Sequence, residues 1–489
     1  MFEKITPEQA GISSEKVLEF MKIIDELSPG THSVIMAKDE KIFFECYYAP
    51  FNKDFKHRMY SVTKSFMSVA IGMLIDDGKL SLKDRFADLY PEYMGENDSE
   101  LLAELTVEDM LRMETASSKD IFWFVENTKD RCEMYARTAC DKIPGTLFDY
   151  DSPASFMLGT LVERITGKTF FEFLKERVLD EIGFSKDSYC LSVPGGYAFS
   201  DSGIMCTTRD MLTFAQFVMN MGVWNGKRYV SEEYMRAATK KQVDNDSMGL
   251  KNYDCCGYGY QIWIGPEHTF FFNGMGGQLA ICSPEHNFVL AINADTQGNP
   301  SAKQAVYHAL LHHIIKNFSE PLKENKKANT ELEKYASECR LYFLEGVTES
   351  SFSEKINNVT YVLGENSMKI EKIRFNFYEK YGVLTYTNLT GEKQLKFGLG
   401  YNEFSKFPEE GYSDLVGGQA AEGNKYECAC SAVWTEPEKL KIKVQIIDKY
   451  FGNATMTFGF KDSRVGICMT KTAENFLCEY EGVATGKAC

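Results

Sequence analysis

The chain lacks any apolar run long enough to cross a bilayer: its longest, around Phe66 to Ile75, falls short of the roughly 20 residues a spanning helix needs. After Met1 there is no basic stretch leading into an apolar one, so no secretory leader is read at the N-terminus. Positive charge is in deficit. Lys and Arg number 54 against 70 Asp and Glu, a formal net charge of −16, which argues against a nucleic-acid or anionic-membrane surface. There is no low-complexity tract, internal repeat or long block of one charge sign. The 14 cysteines contain no Cys-x-x-Cys and form no dense framework. Without an export signal they read as reduced thiols of a cytoplasmic protein, the adjacent Cys255 and Cys256 included.

Two catalytic signatures are also missing. No Gly-x-Ser-x-Gly elbow exists, which argues against the α/β-hydrolase fold. No His-Glu-x-x-His exists either; His308 and His312 lie four apart on a predicted helix with His313 beside them, but no third ligand accompanies them. They read as a solvated helix face, and no metal is expected. Gly167-Lys168-Thr169 resembles the end of a phosphate loop, but Val162 stands where that loop needs glycine, so Gly167 reads as a helix cap.

What is present is a globular composition, 44% hydrophobic and 25% charged over 489 residues, enough for at least two domains. Residues 1–318 mix two periodicities. Val34-Ile35-Met36 and Ile42-Phe43-Phe44 flank Lys38-Asp39-Glu40 as a hairpin. A helix follows Ser61, with Phe66, Val69, Ala70, Met73 and Leu74 on its buried side and Gly78 at its C-cap. Further helices are predicted at Leu105–Met113, Ser155–Ile165, Arg209–Met219 and Ala302–Asn317, and strands at Phe270–Phe272, Gln278–Cys282 and Phe288–Asn293. Strands at both ends with helices between predict an α+β fold, in which one antiparallel sheet is built from distant segments around a helical insertion. The Lys-, Glu- and Asn-rich segment 319–333 is the predicted linker. Beyond it, 334–489 turns to period two: Leu440, Ile442, Val444 and Ile446 alternate with Lys439, Lys441, Lys443 and Gln445. That pattern predicts a separate antiparallel β-barrel or sandwich.

The chemistry starts at Tyr60-Ser61-Val62-Thr63-Lys64-Ser65-Phe66. Three residues apart in a helix, Ser61 and Lys64 share a face. A serine hydroxyl is a poor nucleophile unless a neighbour takes its proton, and a lysine held away from water can do so. A helix N-terminus also favours developing negative charge. Ser13-Ser14-Glu15-Lys16 repeats the spacing, but Ser13 reads as the cap of the helix through Val17, Phe20 and Ile23. Likewise Tyr386-Thr387-Asn388 falls in a strand entering a hairpin.

Two more segments stand in order behind Ser61: Pro144-Gly145-Thr146-Leu147-Phe148-Asp149-Tyr150-Asp151-Ser152, and Phe272-Asn273-Gly274-Met275-Gly276-Gly277-Gln278. Together the three resemble the active-site elements of the serine β-lactamase and penicillin-binding-protein superfamily, in its class C branch with esterase, D-peptidase and amide-hydrolase relatives. Leu105-Thr106-Val107-Glu108-Asp109-Met110-Leu111, Thr207-Thr208-Arg209-Asp210-Met211 and Tyr258-Gly259-Tyr260 extend the likeness over roughly residues 8 to 315. The resemblance implies Ser61 as nucleophile, Lys64 and Tyr150 as proton carriers, and the backbone N–H groups of Ser61 and Met275 as oxyanion hole. Ser152, Phe272, Asn273, Gly274 and Gly276 would meet substrate. It implies no organic cofactor or metal. The C-terminal domain resembles the lipocalin-like modules appended to some of these hydrolases.

Two departures set the expectation for substrate. Ser152 stands where β-lactamases usually carry asparagine, and Phe272 where they carry lysine or histidine. Both changes remove contacts to an anionic substrate, and Phe272 would add an apolar wall. The sequence therefore predicts a hydrolase of small esters, amides or peptides, with a homodimer as an open expectation. A class C-type β-lactamase or D-amino-acid peptidase is the alternative, and a catalytically silent binding protein on the same fold is the third reading.

Overall fold

Apolar alternation in the segments at both ends of the first 300 residues gives strands that find each other in one sheet. The computed structural model describes residues 2–95, 99–118, 130–246, 252–410, 425–473 and 477–489. Its main sheet comprises β1 (Glu3–Lys4), β2 (Thr31–Lys38), β3 (Lys41–Tyr47), β4 (Trp263–Ile264), β5 (Phe270–Gly274), β6 (Gln278–Ser283) and β7 (Phe288–Ala294), in the order β1-β3-β2-β7-β6-β5-β4. Every neighbouring pair is antiparallel except β1 with β3. The hairpin turn falls at Asp39 and Glu40, both left-handed at φ 51° and 59°, which suits a tight turn between right-twisted strands. The long crossing is closed by β2 against β7, with Val34 opposite Ile292 and Met36 opposite Leu290.

Helices cover both faces. On one side α1 (Ser14–Leu27) presents Val17, Phe20 and Ile24 to a core that includes Val34, Met36, Leu279, Ile281, Leu290 and Val306. Each such side chain, fully buried, contributes about 1.5–3 kcal/mol. On the other side α2 (Val62–Asp76) is buried almost all round, as expected of a helix with little polar face. Its C-terminus runs through Asp77 to Gly78 at φ 67°, the left-handed position that glycine fills without strain. Three more helices complete the insertion: α3 (Val107–Arg112), α4 (Ser152–Thr166) and α5 (Thr208–Met219). Phe66 of α2 stacks on Phe214 of α5 at 3.6 Å, and Phe214 meets Phe272 of β5 at 5.8 Å, so these rings seat the central helix on the sheet. Near the end of the region, α6 (Pro300–Ala309) gives way to a π-turn at Leu310–Ile314 and a 3-10 turn at Ile315–Asn317; the sequence had predicted one continuous helix.

The chain divides into two compact units at Arg340 and Leu341. The segment expected as linker, 319–333, lies inside the first unit. From Lys326 it forms α7 (Lys326–Glu338), capped by Asn325, whose Oδ1 accepts from Ala328 N–H at 3.2 Å. Ala328 and Leu332 lie one turn apart on its buried side, and Leu332 and Cys339 join the core beneath α1. The charged composition that looked like a linker is the wet face of an amphipathic helix.

The second unit contains a ten-stranded sheet between Thr360 and Ala488, antiparallel except at its seam. There Gly398 and Leu399 pair in parallel with Ser431 and Ala432, which closes the sheet into a barrel rather than a sandwich. Phe375, Leu384, Phe397, Leu440, Ile442, Val444, Met456 and Phe458 are buried in it. Among the described residues no helix is long and apolar enough to cross a membrane.

Candidate active site

Ser61 is the N-cap of α2 in position but not in chemistry. Its hydroxyl makes no capping bond to the first turn. Instead it accepts from Lys64 Nζ at 3.0 Å, so the helical spacing does bring hydroxyl and amine together. Tyr60, just before, is held at φ 48°, a strained conformation for an aromatic residue that turns the chain sharply into the helix. Its ring lies 4.2 Å from the buried guanidinium of Arg58. The Ser13 copy of the spacing behaves as a cap: Ser13 accepts from Lys16 N–H, and Lys16 pairs with Glu19.

Lys64 is 1% exposed. Besides Ser61, its Nζ donates to the backbone carbonyl of Asp201 at 2.8 Å, which fixes one N–H and aims the remaining valences. The amine also stands 5.2 Å from the centre of the Tyr150 ring. Tyr150 comes from the loop before α4. The following residue, Asp151, caps that helix through Ala154 N–H at 2.8 Å and accepts from Thr115 at 2.6 Å. On its other side Tyr150 stacks on Trp263 of β4 at 5.5 Å and 25°, and Trp263 stacks in turn on Phe271 of β5 at 6.1 Å. The second and third elements are thus joined by a column of rings. Tyr258 packs edge-on to Trp263 at 5.2 Å; burial, then the neighbouring Tyr150, pushes its phenol well up. It stays a neutral wall.

Strand β5 passes close to the nucleophile. A Cβ on Gly274 would fall 2.3 Å from the carbonyl oxygen of Met59, two residues before Ser61, so only glycine lets the strand approach this far. Met275 follows immediately. Among the described residues neither Ser61 N–H nor Met275 N–H donates a hydrogen bond. Ser61, Tyr150, Asn273, Met275, Gly276 and Gly277 are half-buried and reachable from solvent.

Two expected substrate contacts fall elsewhere. Phe272 is fully buried, its ring in the layer with Phe214 and Phe270, so it is a core residue and not an apolar wall of the site. In β5 it alternates with Phe271, which belongs to the opposite face. Ser152 is the first residue of α4, 7% exposed, and makes no hydrogen bond to Ser61 or Lys64. Sequence reasoning had missed Trp263 and Asp201. An aromatic three residues past Tyr258-Gly259-Tyr260 looks like any core position, and Asp201 reaches Lys64 through a main-chain atom that no side-chain pattern reveals.

The Beta-lactamase family model matches residues 28–314, and the chain belongs to that family. Among characterised proteins it is similar to the 6-aminohexanoate-dimer hydrolase of Paenarthrobacter ureafaciens, 22% identical over 311 residues, covering 60% of this chain and 79% of the relative. Among solved structures it is similar to one described as a 6-aminohexanoate-dimer hydrolase from Bacillus anthracis, with TM-score 0.53, 18% identity, and coverage of 65% of this chain and 88% of that one. An octameric penicillin-binding-protein homologue from Pyrococcus abyssi matches at TM-score 0.50 and 16% identity over 96% of this chain and 99% of its own. The family and the fold are those of β-lactamase-related hydrolases.

Proposed function

We propose that this protein is a serine hydrolase that cleaves small amides or esters through an acyl-enzyme on Ser61. The observation that carries the reading is the 3.0 Å contact between Lys64 Nζ and Ser61 Oγ, with the Tyr150 ring beside the same amine. Ser61 Oγ adds to the substrate carbonyl carbon as its proton passes to the Lys64–Tyr150 pair. The oxyanion lies between the N–H groups of Ser61 and Met275. The pair returns the proton to the leaving amine or alkoxide as its bond to carbon breaks. Water then adds to the acyl-serine, giving up a proton along the same route, and the acid departs with Ser61 restored. No metal or organic cofactor enters these steps.

Substrate preference rests on what stands where anionic ligands are usually held. Phe272 places no cation at the start of the third element, and Ser152 no amide at the end of the second. Both favour a substrate that does not depend on a carboxylate for binding; the 6-aminohexanoate-dimer hydrolase relatives support an amide as the bond cleaved, not the absence of a carboxylate, which that dimer carries at its end. We place the protein in the cytoplasm, where core thiols such as Cys206 and Cys282 remain reduced. Self-association is the proposed state, supported by the octameric homologue.

Intact-mass analysis after a fluorophosphonate probe should show one adduct on the wild type and none on Ser61→Ala. Turnover should be higher on p-nitrophenyl acetate or a linear 6-aminohexanoate amide than on nitrocefin. A folded wild type that takes no label between neutral and alkaline pH would sink the acyl-enzyme; nitrocefin as the best substrate would overturn the stated preference.

A further inference from the structure

Gln261 is an unusual residue to find two positions before the Trp263 that stacks on Tyr150. It is 1% exposed and adopts φ 59°, a left-handed conformation that strains a residue with a side chain. Every polar group it owns is engaged. Its Nε2 donates to the carbonyls of Met110 at 2.9 Å and Leu111 at 3.1 Å, at the end of α3. Its Oε1 accepts from the Ser155 hydroxyl at 2.7 Å, on the first turn of α4. Its own carbonyl accepts from the Ser65 hydroxyl at 2.9 Å, and Ser65 is the residue after Lys64 on α2. Its N–H donates to Leu111 O at 3.0 Å.

One residue therefore ties the site together: its main-chain carbonyl holds the helix that carries Lys64, its side chain bridges the end of α3 and the helix that begins two residues after Tyr150, and it lies two positions before Trp263. We propose that Gln261 is a positioning residue that sets the distance between the Lys64 amine and the Tyr150 phenol. It touches neither substrate nor reacting atoms. It acts through Ser65, Ser155 and Trp263. The inference rests on the acyl-enzyme reading and deepens it. It also accounts for a left-handed backbone at a buried amide, which a passive core position would not retain.

Gln261→Gly is the informative variant, because glycine accepts φ 59° without strain and keeps the Ser65 and Leu111 backbone bonds while deleting only the side-chain bridge between α3 and α4. In the full chain, the wild type is first shown to label on Ser61. For Gln261→Gly, kcat is then expected to fall roughly 10- to 100-fold, as for a misplacement of about 1 Å. KM should stay within about two-fold, and the limbs of the kcat/KM pH profile should move by roughly half a pH unit or more as the coupling of amine and phenol changes. Ser155→Ala, which loses the bond to Gln261 Oε1 and a longer one to the Asp151 carbonyl but leaves the Gln261 bonds to α3, should show a smaller change of the same kind even if Gln261→Gly does not fold. A labelled wild type whose folded variants keep kcat and an unmoved pH profile, whatever their melting temperatures, would overturn the positioning role alone. An unlabelled wild type would overturn the acyl-enzyme and the positioning role with it.

Discussion

At the scale of single residues, the site is a problem of placing protons, and the sequence made most of it legible. Ser61, Lys64 and Tyr150 were named from spacing and resemblance; the Lys64 amine lies 3.0 Å from Ser61 Oγ and 5.2 Å from the centre of the Tyr150 ring. Phe272 was misplaced for a simple reason: alternation along Phe270-Phe271-Phe272 says that two faces exist, but not which one carries the substrate. Gln261 was invisible because a left-handed glutamine has no sequence signature. Residue chemistry also makes a prediction away from the site. Glu163 on α4 is pushed up to about 7 by burial, against the bond it accepts from Ala198 N–H, with the charge of Glu172 adding to the rise. Between its usual value and about 7 the folded chain holds a proton that the unfolded chain has released. That contribution to stability is full below about pH 4.5 and is lost as pH rises through about 7. Glu163→Gln removes the titration. The variant should melt about 1–3 °C above wild type at pH 8 and at the same temperature near pH 4, read by thermal unfolding across a pH series.

At the scale of elements, fit between surfaces governs more than composition does. The helix after Ser61 could be read because apolar residues cover it nearly all round and a glycine follows it. Helix α7 could not, since Lys, Glu and Asn serve a coil and the wet side of a helix equally, and the two buried positions, Ala328 and Leu332, are too few to announce a period. The approach of β5 to the start of α2 is tighter than either element alone would demand. Gly274→Val places a Cβ against Met59 O at a separation of 2.3 Å before relaxation, so strand and helix must part. The expected loss is about 1–3 kcal/mol of stability. A drop in kcat larger than any rise in KM should accompany it, because the Met275 N–H moves with the strand. Steady-state kinetics beside a denaturant titration would measure both, and an undisturbed kcat would contradict the oxyanion role given to Met275.

At the scale of the whole molecule, the boundary at Arg340 has practical weight. A chain ending at residue 318, where composition placed the edge of the first domain, strips α7 from its groove and uncovers core around Val17, Phe44 and Cys46. One ending at residue 340 keeps the helix and the bond from Ala49 N–H to Cys339 O. Burial of Leu332 and its neighbours is worth about 2–5 kcal/mol, so the longer chain should remain monodisperse by light scattering under conditions where the shorter one aggregates. Equal behaviour of the two would show that α7 contributes little. The second unit carries a different lesson. The barrel closes through two residue pairs only, Gly398 with Ser431 and Leu399 with Ala432, so among the described residues the strand Gly391–Leu399 keeps most of one flank without a ladder partner. A second copy meeting the barrel there could carry the weave on with main-chain bonds, and such a contact should resist salt better than one made through surface charges.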